Sequence, residues 1–144
     1  MQIIDQVIDR LSRETGDGPA PAPVREAIEQ VIDQMMQFAE DIDGAIVSSA
    51  DGVAWAERLP AGLDRHRFAA MSGALLALCD TLAREGSRGE PRNVLIEGES
   101  GRIFLLHAGP RLLLTVFTRA GANLGVCLAH ARQAAETIAA VAGS

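Results

Sequence analysis

Residues 42–53 read Ile42-Asp43-Gly44-Ala45-Ile46-Val47-Ser48-Ser49-Ala50-Asp51-Gly52-Val53. An apolar run, Ala45 to Val47, passes through two serines into Asp51-Gly52, and a second run from Val53 to Leu59 follows. Asp-Gly between two such runs is a strong short-range hairpin signal, because a tight hairpin turn needs positive φ and glycine supplies it without steric cost. Two antiparallel strands are therefore expected here. No catalytic machinery surrounds them, which moves the search for function to the surfaces of the domain.

Working outward, Val24, Ile28, Val31, Met35, Phe38 and Ile42 recur in steps of four and three, predicting a helix over about 24–41. Ile32, Met36 and Ala39 widen its apolar stripe enough to cover a sheet. After the hairpin, Leu59-Pro60-Ala61-Gly62 is turn chemistry, and Asp64 is placed to cap a helix running to about Arg84. That helix carries two surfaces. Phe68, Met71, Leu75, Leu78 and Leu82 form a stripe of large residues; Ala70, Gly73, Ala74 and Ala77 form one of small residues. The small stripe allows a close approach, either to the domain's own sheet or to a second helix across a dimer.

Three short strands follow at Asn93–Glu97, Arg102–His107 and Arg111–Thr118. Their connectors, Gly98-Glu99-Ser100-Gly101 and Ala108-Gly109-Pro110, are short enough to force antiparallel hairpins. Leu112-Leu113-Leu114-Thr115-Val116-Phe117 is almost continuously apolar, as expected of a central strand buried on both faces. A last helix spans about 126–141, with Leu128, Ala131, Ala135, Ile138 and Val141 on its buried side. The expected fold class is α+β: a five-stranded antiparallel sheet with helices on both faces. An open edge strand in such a sheet invites edge-to-edge pairing.

Ahead of this domain, taken as 24–144, Ile3, Ile4, Val7, Ile8 and Leu11 predict a short amphipathic helix within 1–15. Residues 16–23 hold two glycines and three prolines and read as a stiffened linker.

Composition excludes several function classes. The 144 residues suit one domain with a real core, and 48% are apolar. All 13 basic residues are arginine. Without lysine, neither a Walker-type phosphate loop nor a Schiff-base enzyme is available. A net charge of −6 argues against a nucleic-acid backbone as partner. No apolar run reaches the ~18 residues of a membrane span, and the N-terminus lacks the basic region of a signal peptide. A cytoplasmic location is the expectation, with Cys79 and Cys127 as buried free thiols.

Catalytic and ligating patterns are absent at the level of spacing. His66, His107 and His130 lie far apart, with no carboxylate or cysteine at ligand spacing, and no metal or cofactor is expected. Gly98-Glu99-Ser100-Gly101 is one residue short of a nucleophile elbow and sits in a hairpin. Gly121-Ala122-Asn123-Leu124-Gly125 lacks the glycine spacing and the βαβ setting of a dinucleotide site. Asp41/Asp43 and Glu97/Glu99 read as solvated charges.

The ordered set of Asp43–Ala54, the helix with Phe68-Ala69-Ala70-Met71, the strand Asn93–Glu97, the run Leu112–Val116 and the loop Ala122–Gly125 resembles the roadblock / dynein light chain family. The resemblance covers about 24–141. It implies the same fold and a non-enzymatic dimer that binds and regulates a small Ras-like GTPase; bacterial members resemble cell-polarity regulators that act as GTPase-activating partners. It carries no catalytic residue. Arg58, Arg65, His66 and Arg67 are the candidates for partner binding, and Ala70, Gly73, Ala74 and Ala77 for the homodimer interface. Any of the three arginines is of a type that can serve as a finger toward a GTPase, although the resemblance leans against that mechanism. A pure scaffold is the second reading, and a ligand-sensing domain with an internal polar cavity the third.

Overall fold

The computed structural model describes residues 20–143. The expected N-terminal amphipathic helix and the linker up to Pro19 lie outside the described residues. Helices and strands follow in the order α1 (Ala22–Phe38), β1 (Ile42–Ser49), β2 (Ala54–Arg58), α2 (Arg65–Glu85), β3 (Val94–Gly98), β4 (Gly101–Ala108), β5 (Leu112–Arg119) and α3 (Leu124–Val141). This is the expected α+β fold with a single five-stranded antiparallel sheet. Helix α1 starts two residues earlier than its periodicity predicts, because Pro21 and Pro23 supply preset φ to a first turn that needs no amide donor there.

The strand order is β2-β1-β5-β4-β3. Strand β5 is central and buried from Leu112 to Thr118, as its apolar run demands. Its even-numbered residues, Leu112, Leu114 and Val116, join Ala45, Val47, Phe104 and Leu106 under α1 and α3. The opposite face carries Ile46, Leu105, Leu113 and Phe117 under α2. Phe68 of α2 meets Phe117 edge-on at 5.3 Å between ring centroids, a pairing worth about 0.5–1.5 kcal/mol beyond its burial.

The Asp51-Gly52 hairpin forms, with a longer connection than a two-residue turn. The Ser49 amide donates to the Val53 carbonyl (2.9 Å) and the Gly52 amide to the Ser49 carbonyl (3.0 Å), leaving three loop residues, Ala50 to Gly52. Only Gly52 takes positive φ, at 90°. A turn followed by one left-handed residue is the usual three-residue solution. The Ser49 hydroxyl ties the loop further by donating to Asp51 and accepting from the Val53 amide. At the β3–β4 hairpin, Gly98 pairs directly with Gly101. Gly101 has φ 148°, and a Cβ there would lie 2.1 Å from the Thr118 carbonyl oxygen. Glycine is thus obligatory where β4 meets β5.

Candidate functional site

Helix α2 is anchored at its start by Asp64, whose carboxylate accepts from the His66 amide (2.9 Å) and the Arg67 amide (3.3 Å). It buries a narrow set of mostly small residues: Ala69, Ser72, Gly73 and Leu76. Small side chains let it sit low on the sheet. Inside that contact the Thr115 hydroxyl donates to Ser72 Oγ at 3.0 Å, satisfying two polar groups in a buried layer. The tip of the β1–β2 hairpin rests on the same part of the helix. A Cβ on Gly73 would lie 3.0 Å from the Ala50 carbonyl oxygen and 3.2 Å from the Gly52 amide nitrogen.

That geometry divides the small stripe. Gly73 is buried beneath the hairpin, whereas Ala70, Ala74 and Ala77 are exposed. Beside them part of the large stripe also faces out: Met71 is 48%, Leu78 66% and Leu82 70% exposed, whereas Phe68 and Leu75 are half-buried against the sheet. The heptad-like stripe of large residues thus straddles two surfaces, with Phe68 and Leu75 turned to the sheet and Met71, Leu78 and Leu82 on an unpartnered outer face. Strand β3 ends the sheet nearby, with Leu95 and Ile96 exposed on opposite faces of that edge. An exposed helix stripe of large apolar residues and an apolar sheet edge are features that monomeric proteins normally cover or charge.

The candidate partner-binding residues cluster at the other end of α2, with unequal freedom. Arg58, at the end of edge strand β2, reaches across to α1. Its Nε lies 2.9 Å from Asp33 Oδ1, its Nη2 3.2 Å from Asp33 Oδ2 and its Nη1 2.9 Å from Glu29 Oε2. Asp33 foremost, then Glu29, raises the guanidinium pKa above its ordinary value. Arg65 pairs with Glu57 at 3.4 Å. Arg67 is exposed and makes no ion pair among the described residues; the His66 ring is also exposed. A groove of about 490 Å³ runs beside this cluster, lined by Met36, Asp43, Glu57, Arg58 and the Leu59–Leu63 turn.

On the opposite side of the domain, α1 and α3 enclose a second open groove of about 330 Å³, lined by Val31, Met35, Phe38, His130 and Ala134. Phe38 is 65% exposed, against its place in the predicted buried stripe. Helix α1 ends at this residue, at the rim of the groove between α1 and α3, and Ile42, the last residue of the predicted stripe, is buried in β1 instead. Cys127 is buried, as expected, and burial pushes its thiol pKa up; Asp41 adds to that and Arg102 opposes it. Cys79 is only half-buried.

One group escaped the sequence reading. His107 of β4, Asp80 of α2 and Glu90 of the α2–β3 connection converge, although sequence spacing gives no hint of it. The fold brings them together because α2 crosses the sheet and ends above β4. Elsewhere, Arg102 donates to the Ala122 carbonyl (2.8 Å) and Asn93 accepts from Arg132 (3.2 Å), both serving structure.

Comparison with known proteins agrees with this geometry. Residues 28–118 match the Roadblock/LC7 domain. The uncharacterized protein MJ1340 of Methanocaldococcus jannaschii is 34% identical over 102 residues, covering 71% of this chain and 89% of its own length. The gliding protein MglB from Thermus thermophilus superposes with a TM-score of 0.79 at 19% identity, covering 87% of this chain and 95% of that one. A Roadblock/LC7 domain from Streptomyces avermitilis gives 0.72 at 22% identity, covering 81% and 98%. The two structural likenesses speak for the fold alone; the extended match in sequence goes further, and on it the chain belongs to the Roadblock/LC7 domain family.

Proposed function

We propose that this chain is a non-enzymatic, dimeric regulator of a small Ras-like GTPase. Family membership and the MglB-like fold support a role of the GTPase-regulator type. The observation that carries the dimer is the exposed apolar surface of α2 (Met71, Leu78, Leu82) together with Ile96 on the same side of the β3 edge, the edge exposing Leu95 on its other face. Two copies meeting there cover both liabilities at once: edge pairs with edge and helix with helix. Ala70, Ala74 and Ala77 lie on the same exposed side and permit close approach; Gly73 supports the hairpin from within.

Partner contacts then fall to the start of α2 and the turn before it. Arg67 and His66 are free to engage a GTPase, whereas Arg58 must first leave Asp33 and Glu29. The function is read as a platform that positions the GTPase's own groups, because the family resemblance, more than the freedom of these side chains, leans against an arginine finger. The test is GTP turnover by a small Ras-like GTPase from the same organism that binds the purified chain, measured with the wild type and with Arg58→Ala, Arg65→Ala and Arg67→Ala. Acceleration that persists in all three variants supports the platform. Collapse of turnover in one variant with binding intact identifies a finger and refutes it. Binding without acceleration selects the scaffold reading, and failure to find any such GTPase removes the GTPase from the account.

A further inference from the structure

We infer that Asp80, Glu90 and His107 form a binding site for a divalent transition cation of the Zn²⁺ class. One ligand atom from each residue lies within 4.8 Å of the other two. The three donors come from three different segments: helix α2, the connection into β3, and strand β4. The inner pair is already set. His107 Nε2 stands 3.3 Å from Asp80 Oδ1. Zn²⁺ takes nitrogen and oxygen donors at about 2.0–2.2 Å, so neighbouring donors around a tetrahedral ion stand roughly 3.3–3.5 Å apart. The Asp80–His107 contact, a hydrogen bond in the metal-free chain, already has the spacing that two donors on one ion require. Asp80 is the most enclosed of the three, its side chain only 17% exposed.

Glu90 completes the set from a surface connection, and its exposed side chain has room to close the remaining distance by rotation. Two carboxylates neutralise a dication, and the imidazole nitrogen selects a borderline metal over Mg²⁺ or Ca²⁺, which favour all-oxygen shells. Solvent supplies the fourth position. Arg84, one helical turn after Asp80, lies 3.8 Å from Glu90 and brings a cation against the cluster. Its guanidinium competes with a metal for the same carboxylate, and its exposure lets it swing away.

Binding there cross-links the end of α2 to the segment that leads into the β3 edge. The site sits beside the surface assigned above to dimerisation, yet its existence does not depend on that assignment.

The test is titration of the full chain with ZnCl₂ in a non-chelating buffer, followed by calorimetry and by the metal-induced rise in Tm. One site per chain is expected. His107→Ala and Asp80→Asn are expected to weaken binding by more than about 100-fold, since loss of an outer-sphere partner alone commonly costs 10–100-fold. Glu90→Gln replaces the carboxylate of an exposed side chain without a core role by a neutral amide and weakens binding while leaving the metal-free Tm unchanged. Arg84→Ala tightens binding, an outcome that a purely structural His–Asp pair does not produce. Cys79→Ser leaves binding unchanged. Equal affinity in the wild type, His107→Ala and Glu90→Gln, or no binding up to millimolar metal, overturns the inference.

Discussion

Replacing Gly73 with leucine separates the two roles available to the small residues of α2. An ideal Cβ at this position meets the Ala50 carbonyl oxygen at 3.0 Å, the Gly52 amide nitrogen at 3.2 Å and Gly52 Cα at 3.3 Å. All three are backbone atoms of a hairpin loop held by its own hydrogen bonds, so they give way only if the hairpin lifts. Forcing extra methylenes into a packed contact costs about 1–3 kcal/mol. Removing glycine from a helix interior returns about 0.5–1 kcal/mol. The net expectation for Gly73→Leu is a loss of roughly 1–2 kcal/mol in folding stability. With a urea m-value of about 2 kcal/mol/M, the middle of the usual range, the unfolding midpoint falls by roughly 0.5–1 M. The assay is urea unfolding followed by circular dichroism at two protein concentrations, with Ala77→Leu as the comparison. Ala77 is exposed, so its substitution leaves intrinsic stability within about 0.5 kcal/mol. It changes association instead, visible as a concentration-dependent midpoint. If Gly73→Leu keeps the wild-type midpoint and only loses self-association, Gly73 belongs to the interface and does not seat the hairpin.

Other perturbations follow from the same packing. Leu78→Asp together with Leu82→Asp is expected to abolish the dimer in sedimentation velocity while the circular dichroism of the fold is retained; a dimer that survives places the interface elsewhere. Thr115→Val strands the buried Ser72 hydroxyl and costs about 1–3 kcal/mol in urea unfolding, whereas adding Ser72→Ala recovers part of the loss. Gly101→Ala, with its Cβ driven toward the Thr118 carbonyl, destabilises more than either and uncouples β4 from β5 in hydrogen exchange. Cys127, buried and with its thiol pKa raised by that burial, is expected to react with iodoacetamide only as fast as the fold opens, well behind Cys79. The raised value also fixes the sign of a pH effect. The neutral thiol is favoured in the fold, so stability is full below the unfolded thiol pKa of about 8.5 and declines as pH rises through the folded value. Cys127→Ser removes that alkaline decline.

The order of elements was legible because each rests on local chemistry: Asp51-Gly52 for the first hairpin, the apolar run Leu112–Phe117 for the central strand, Asp64 for the start of α2. The surfaces were less so. The stripe Met71, Leu78 and Leu82 has the periodicity of a buried face, and periodicity does not say which of two apolar faces the sheet takes. Sheet contact goes to Ala69, Ser72, Gly73 and Leu76 because small residues let the helix lie close under the hairpin. Phe38 keeps the spacing of a buried helical stripe yet lies at the rim of the groove between α1 and α3. Arg58 looks free in sequence, yet Glu29 and Asp33 lie a whole strand and turn earlier and meet it only through the packing of α1 on β2. Asp80, Glu90 and His107 are likewise joined only by the crossing of α2 over β4. Groups that converge through tertiary packing leave no spacing to read.

The central claim is that the exposed stripe of α2 and the edge of β3 make this chain a dimer. Sedimentation equilibrium on the purified full chain at micromolar concentration tests it most directly. The account predicts a mass of twice the 15.2 kDa chain. A single species at the chain mass contradicts it.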